Sequence, residues 1–139
     1  MKNYITGFHH AAFYTADFDR SLDFYTGILG LNVGYSWGDP GKRAVMLALG
    51  GDSYLEIFEG GTKEEQDSGR GNKPAGRLLH VALCTDDCSK TFRRVKEAGM
   101  EIVSEVQEID MDTEPVLKIR IAFFKGPDGE VIELFQVRD

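Results

Sequence analysis

Apolar and polar positions follow the same order twice along this chain. The first half opens with His10 and a run of strand-like alternation that ends near Asp17, and the second opens with His80 and a similar run that ends near Asp87. In both halves the aspartate lies seven residues after the histidine. An aspartate in this place favours a helix N-cap, because its side-chain oxygen accepts hydrogen bonds from the free backbone N–H groups of the first turn. The match predicts two copies of one structural unit.

Each aspartate is followed by an apolar stripe with spacings of four, three and four residues. This spacing is typical of a short amphipathic helix packed on a sheet. Gly30 and Gly99 stand where such a helix would end in a left-handed residue. The stripe positions are Phe18, Leu22, Tyr25 and Leu29 in the first half and Cys88, Phe92, Val95 and Gly99 in the second.

Three strand-like runs complete each half, and a turn rich in glycine precedes the last one. The last runs read Leu-Glu-Ile-Phe and Ile-Glu-Leu-Phe, which places Glu56 and Glu133 at matching positions. One domain over 1–139 is therefore expected, with module 1 at about 5–59, a polar linker at about 60–76 and module 2 at about 78–137. The predicted strands are Asn32–Trp37, Arg43–Leu49, Ser53–Glu59, Glu101–Ile109, Val116–Phe124 and Glu130–Val137.

Composition narrows the class of protein further. The chain of 139 residues is 42% hydrophobic and 28% charged, as in ordinary globular proteins. A net charge of −7 without a basic patch argues against nucleic acid and membrane surfaces as partners. The start of the sequence lacks the pattern of a signal peptide, which predicts a cytoplasmic protein. Cys84 and Cys88 are then expected to be reduced thiols.

The two histidines and two glutamates are predicted to share the sheet face that the helices leave open. Side chains alternate along a strand, so His10 points away from Phe13, and His80 points away from Val81. Glu56 and Glu133 each stand between apolar neighbours and project to the same open side. Nitrogen and oxygen donors of this kind suit a divalent Zn, Ni, Co, Mn or Fe ion. The repeat therefore predicts a metal site formed by His10, Glu56, His80 and Glu133.

Any one of these four residues alone has an ordinary structural explanation. The metal hypothesis rests on their recurrence at matched places. His9 has no counterpart, and alternation turns it towards the helices, so it is interpreted as a core or interface histidine. Cys88 is interpreted as a small buried residue in the helix core. Strand alternation places several more side chains on the open face: Tyr14, Cys84, Tyr54, Phe58, Phe135, Lys118 and Arg120.

At these residues the chain resembles the vicinal oxygen chelate superfamily, which includes glyoxalase I, methylmalonyl-CoA epimerase, extradiol dioxygenases and the fosfomycin- and bleomycin-resistance proteins. The resemblance implies an α+β fold of two tandem βαβββ modules that form a mixed-sheet funnel, paired in a homodimer. It places the metal ligands at His10, Glu56, His80 and Glu133, within one chain or across two. The matching segments run from His10 through Phe24-Tyr25 to Leu29-Gly30-Leu31, then Leu55-Glu56-Ile57, His80 to Asp87, and Gly126 to Leu134.

The resemblance implies a metal-dependent isomerase, epimerase or lyase that acts on a small oxygenated substrate. The ion would stabilise an enediolate or enolate, with Glu133 as the base and Glu56 acting on the other face. Bacterial glyoxalase I-like sequences carry an arginine and an asparagine where this chain has Tyr14 and Gly60. This difference argues against glutathione in the substrate.

Two other functions stay open at the level of sequence. One is a small-molecule binding or resistance protein, against which the complete ligand set argues. The other is an extradiol-type Fe(II) dioxygenase, against which the fourth ligand Glu56 and the inward orientation expected for His9 both argue.

Overall fold

The computed structural model describes residues 8–62, 80–113 and 115–139, which divide between two compact units, Met1–Lys63 and Glu64–Asp139. Most of the predicted linker at about 60–76 lies outside the described residues, as does the predicted start of module 1 at about 5.

The first unit is a four-stranded mixed sheet with one helical segment. Its strand order is β1-β4-β3-β2, with β1 parallel to β4 and the other neighbours antiparallel. The elements in chain order are β1 (His10–Thr15), α1 (Phe18–Asp23), a π-helical segment (Phe24–Ile28), β2 (Asn32–Trp37), β3 (Ala44–Ala48) and β4 (Tyr54–Glu59).

The second unit repeats this topology. Its strand order is β5-β8-β7-β6, with β5 parallel to β8 and the other neighbours antiparallel. The predicted α+β fold class of two tandem βαβββ-like modules is therefore confirmed. The elements are β5 (Val81–Cys84), α2 (Cys88–Glu97), β6 (Glu101–Met111), β7 (Leu117–Lys125) and β8 (Val131–Val137).

Both helices begin at the predicted capping aspartates. A carboxylate oxygen of Asp17 accepts from the Arg20 backbone N–H at 3.1 Å, and one of Asp87 accepts from Lys90 at 3.0 Å. Thr15 and Thr85 form a second repeated device, since each hydroxyl accepts from the N–H of the aspartate two residues on, at 3.2 Å. The two threonines therefore help fix the angle at which each helix leaves its strand.

The core of each unit lies between the helix and one face of its sheet. In the first unit Phe18 and Tyr25 are buried against Leu55 and Ile57 of β4. In the second, Cys88 is fully buried, as predicted, and its Sγ lies 4.0 Å from the carbonyl oxygen of Leu134. Burial raises the pKa of the Cys88 thiol. Both cysteines are free thiols.

The helix of the first unit departs from the regular α-helix that the stripe predicts. From Phe24 onwards it widens, and the Leu29 N–H donates to the carbonyl of Phe24, five residues back, at 3.1 Å. The stretch from Asp17 to Gly30 is one residue longer than the stretch from Asp87 to Gly99. A π-helical turn takes up one extra residue without moving the ends of the helix. Gly30 and Gly99 end the two helices with φ values of 76° and 80°, as predicted.

No helix in the described ranges has the length and apolar character needed to cross a bilayer.

Candidate metal centre

In the first unit, strand pairing brings His10 and Glu56 together. β1 and β4 are parallel, and Glu56 lies opposite Ala12, two residues from His10 on the same face. His10 Nε2 is 3.6 Å from Glu56 Oε1. This separation is too long for a good hydrogen bond and leaves both atoms directed to a common point.

The second unit builds the same pair. Glu133 lies opposite Ala82 in the parallel pairing of β5 and β8, and Ala82 is two residues after His80. His80 Nε2 is 3.2 Å from Glu133 Oε1. The predicted open-face orientation of all four side chains thus produces the same nitrogen–oxygen contact twice.

Both glutamates are buried, whereas their histidine partners are part-exposed. Glu56 and Glu133 are only 8% and 7% exposed. Among residues 8–62, 80–113 and 115–139, neither carboxylate has a lysine or arginine within ion-pair distance. A buried carboxylate is costly unless a cation or a hydrogen-bond donor compensates it. The donor set of imidazole nitrogen and under-compensated carboxylate therefore fits a divalent ion.

Each unit contributes two of the four predicted ligands. Within the described part of the chain, no three His, Cys, Asp or Glu side chains are gathered closely enough to hold an ion. The complete ligand set His10, Glu56, His80 and Glu133 therefore remains a prediction, supported by the two matching pairs.

The family of the chain follows from sequence comparison. The profile of the Glyoxalase/Bleomycin resistance protein/Dioxygenase superfamily matches residues 7–134, nearly the whole chain. The chain belongs to this superfamily. This is the vicinal oxygen chelate group that the repeated motifs resemble, so the assignment from sequence is confirmed.

Named relatives of this superfamily member cover almost its full length. It is 27% identical to a probable lactoylglutathione lyase of Synechocystis sp. over 91% of this chain and 92% of that protein. It is 29% identical to a probable lactoylglutathione lyase of Vibrio parahaemolyticus over 91% of this chain and 88% of that protein.

A solved structure supports the fold. The glyoxalase family protein from Enterococcus faecalis superposes with a TM-score of 0.73 at 24% identity, covering 96% of this chain and 99% of that one. At this identity the likeness shows the fold alone.

The interpretation of His9 as a core histidine that faces the helices is wrong. His9 is exposed, and its Nδ1 lies 2.9 Å from Nδ1 of His10. Its ring also contacts the ring of Tyr54, with centroids 5.3 Å apart. β1 begins only at His10, so strict strand alternation does not extend back to His9. The argument against a dioxygenase that relied on an inward His9 therefore fails.

The prediction that Lys118 and Arg120 face the ligand side is also wrong. Arg120 lies opposite Gln136 of β8, whose side chain caps α2 by accepting from the Cys88 N–H at 2.9 Å. Arg120 pairs with Glu108 and interacts electrostatically with Asp87 at the start of α2. Lys118 has the same parity on β7 and shares the helix side. Apolar residues stand on both faces of β7, so alternation of charge did not reveal which face lay open.

An aromatic face surrounds the pair in the first unit. Tyr54 and Phe58 lie on the Glu56 side of β4, as predicted, and Tyr14 contacts Phe58 with ring centroids 5.7 Å apart. Sequence analysis missed Tyr35 and Trp37, which face the same side because they pair with Met46 and Ala44 of β3. We call Tyr14, Tyr35, Trp37, Tyr54 and Phe58 the aromatic face. The signal was the alternation of Tyr35 and Trp37, but only the strand register assigns it to a side.

The second unit has a smaller apolar setting. The ring of Phe123, another residue that sequence analysis missed, contacts that of His80 with centroids 5.5 Å apart. Phe123 lies opposite Glu133 in the register of β7 and β8. Cys84 is exposed beside this pair, two strand positions beyond Ala82, as predicted by alternation.

Proposed function

We propose that this chain is a metal-dependent isomerase, epimerase or lyase of glyoxalase I-like type that acts on a small oxygenated substrate. The observation that carries the proposal is the repeated pair of a histidine Nε2 and a buried glutamate carboxylate, one in each unit. The named lyase relatives support the same reaction class.

The residues proposed to hold one divalent ion are His10, Glu56, His80 and Glu133. A first and a second module would complete the set, within one chain or across a homodimer. Mixed nitrogen and oxygen donors suit Zn, Ni, Co, Mn or Fe. When bound, the ion supplies a fixed positive charge for the negative charge that develops on a substrate oxygen.

Glu133 is proposed as the base that removes a proton from the carbon next to the substrate carbonyl, and Glu56 as its counterpart on the other face. Apolar neighbours surround both carboxylates: Leu55 and Ile57 flank Glu56, and Ile132 and Leu134 flank Glu133. In the described ranges no lysine or arginine fixes either carboxylate. Each is therefore available to turn from a ligand position towards a substrate proton.

The aromatic face favours a substrate whose non-reacting part is aromatic or apolar. Tyr14, Tyr35 and Trp37 are 66%, 59% and 44% exposed, so their rings are open to a bound molecule. Arg43 lies on the helix side, with its guanidinium over the Phe18 ring and bound to Asp19 and Glu59. Glutathione carries two carboxylates, for which this face offers rings rather than cations. The substrate proposed here is therefore not a glutathione adduct.

The test is exchange of the substrate hydrogen next to the carbonyl with solvent deuterium, followed by NMR on the metal-loaded protein. The panel pairs methyl- with phenyl-substituted 2-hydroxy aldehydes and ketones and includes the glutathione adduct of methylglyoxal. We expect exchange that is faster for phenyl than for methyl compounds and is lost in Glu133→Gln. Glu97→Gln, on the exposed surface of α2, is the matched control and should exchange normally. Absence of exchange with every compound would contradict the proposed reaction.

One observation favours a second function, an extradiol-type dioxygenase. His9 lies beside His10, where a dioxygenase would need an additional histidine near its substrate. Oxygen uptake by the Fe(II)-loaded protein in the presence of catechol distinguishes the two functions. Uptake that depends on His9 would favour the dioxygenase, and its absence alongside hydrogen exchange would favour the isomerase.

A further inference from the structure

We infer that His9 is a positioning residue that fixes the tautomer of His10 and so presents the Nε2 of His10 to the divalent ion. This inference rests on the metal site of the proposed function, and it assigns a role to a residue outside the four-ligand set.

The geometry leaves His10 a single productive tautomer. Its Nε2 is directed towards Glu56 Oε1, so this is the nitrogen that would bind the ion, and it must then carry no proton. The proton of the neutral ring therefore resides on Nδ1. His9 Nδ1 lies 2.9 Å from that atom, within hydrogen-bond distance, and accepts the proton when His9 carries its own hydrogen on Nε2.

The position of His9 is itself held by the sheet. Its carbonyl oxygen accepts from the Tyr54 backbone N–H at 2.7 Å, which extends the β1–β4 pairing by one residue. Its ring meets the His10 ring edge-on at 84° and rests against Tyr54. Tyr54 in turn hydrogen-bonds and interacts electrostatically with Tyr35, which raises the pKa of Tyr54. A ligand histidine commonly donates its second N–H to such a partner, which orients the ring and raises its basicity.

The second unit lacks this device and provides an internal comparison. Leu79 precedes His80 in the sequence, where His9 precedes His10. His80 meets the edge of Phe123, a ring that cannot accept a hydrogen bond at the imidazole Nδ1. The tautomer of His80 should therefore not respond to a change at His9.

The first test uses metal-free protein and imidazole ¹H–¹⁵N NMR at a pH where all three rings are neutral. We expect His10 to be protonated on Nδ1 in the wild type and to shift towards Nε2 protonation in His9→Ala, with His80 unchanged in both. In His9→Asn, the amide oxygen takes the place of Nδ1 as acceptor and should preserve the wild-type tautomer. A wild-type His10 protonated on Nε2 would overturn the inference.

The second test is calorimetric Zn²⁺ binding, with the Co²⁺ absorption spectrum as a report on ligand geometry. Loss of an outer-shell partner typically reduces metal affinity by about 10–100-fold, and we expect this for His9→Ala and recovery in His9→Asn. The His10→Ala variant separates the two proposals. If it abolishes binding while His9→Ala leaves affinity and spectrum unchanged, the inference about His9 fails and the metal site stands. If His10→Ala itself binds Zn²⁺ normally, the metal site fails.

Discussion

At the scale of single residues, Arg43 and Glu59 join the helix of the first unit to its sheet. Two guanidinium nitrogens of Arg43 bind the Glu59 carboxylate, at 3.0 and 2.7 Å, and a third atom pair links Arg43 to Asp19 of α1 at 3.0 Å. The Glu59 carboxylate also accepts from the Gly41 backbone N–H at 2.9 Å. The second unit has Arg120 and Gln136 at the equivalent places, so a neutral amide replaces the carboxylate there.

This arrangement predicts a contribution to stability that depends on pH. The hydrogen bonds from Arg43 lower the pKa of Glu59 from 4.5 to about 2. A carboxylate whose pKa is lower in the folded state stabilises the fold above its unfolded pKa and loses that contribution as the pH falls through its folded pKa. We expect Glu59→Gln to be less stable than wild type at neutral pH. The difference should shrink as the pH falls from about 4.5 to about 2.

Urea unfolding midpoints at successive pH values measure this difference. Glu97→Gln, which removes an exposed carboxylate from α2, is the control and should follow the wild type throughout. A gap between wild type and Glu59→Gln that persists unchanged to pH 2 would contradict the assignment.

At the scale of elements, the π-helical segment Phe24–Ile28 distinguishes the two otherwise matching helices. It absorbs one extra residue, so that Phe24 and Tyr25 are both buried while the helix still ends at Gly30. Gly27 lies on the exposed side of this segment. A Cβ built on it would meet nothing within 4 Å, and its φ is not positive.

A pair of glycine substitutions tests this description. Gly27→Ala should stabilise the chain by roughly 0.4–1 kcal/mol, because alanine restricts the unfolded chain at a position whose native backbone it can adopt. Gly30→Ala should destabilise it by about 1–2 kcal/mol, because alanine is disfavoured at the left-handed φ of 76°. Chemical denaturation of both variants measures the free energy of unfolding. Equal and unfavourable effects would show that Gly27 sits in a different backbone conformation.

At the scale of the whole molecule, the fold was largely predictable because its two halves check each other. The capping aspartates, the terminal glycines and the strand order recur, and local patterns that recur in the same order leave few alternative topologies. The strands Asn32–Trp37 and Tyr54–Glu59 match the predicted runs to within a residue. The one-residue insertion near Gly27 was visible as an unequal spacing, but its accommodation as a π turn depends on packing.

The candidate site was predictable only as far as strand alternation holds. His10, Glu56, His80 and Glu133 lie on strands or one residue before one, and their faces are as predicted. His9 precedes β1, so its orientation depends on the Tyr54 and His10 rings rather than on alternation. Arg120 could not be assigned to a face, because its apolar neighbours line both sides of the sheet.

The central claim is that His10, Glu56, His80 and Glu133 hold one divalent ion, and elemental analysis of purified, untagged protein tests it most directly. We expect about one divalent ion per chain in the wild type and none in the His10→Ala/Glu133→Gln double variant. Cys84→Ser is the matched control, because it alters an exposed thiol on the same face and should keep the ion. A wild-type protein that holds no ion and takes up none when it is offered, or a double variant that keeps its ion, would contradict the account.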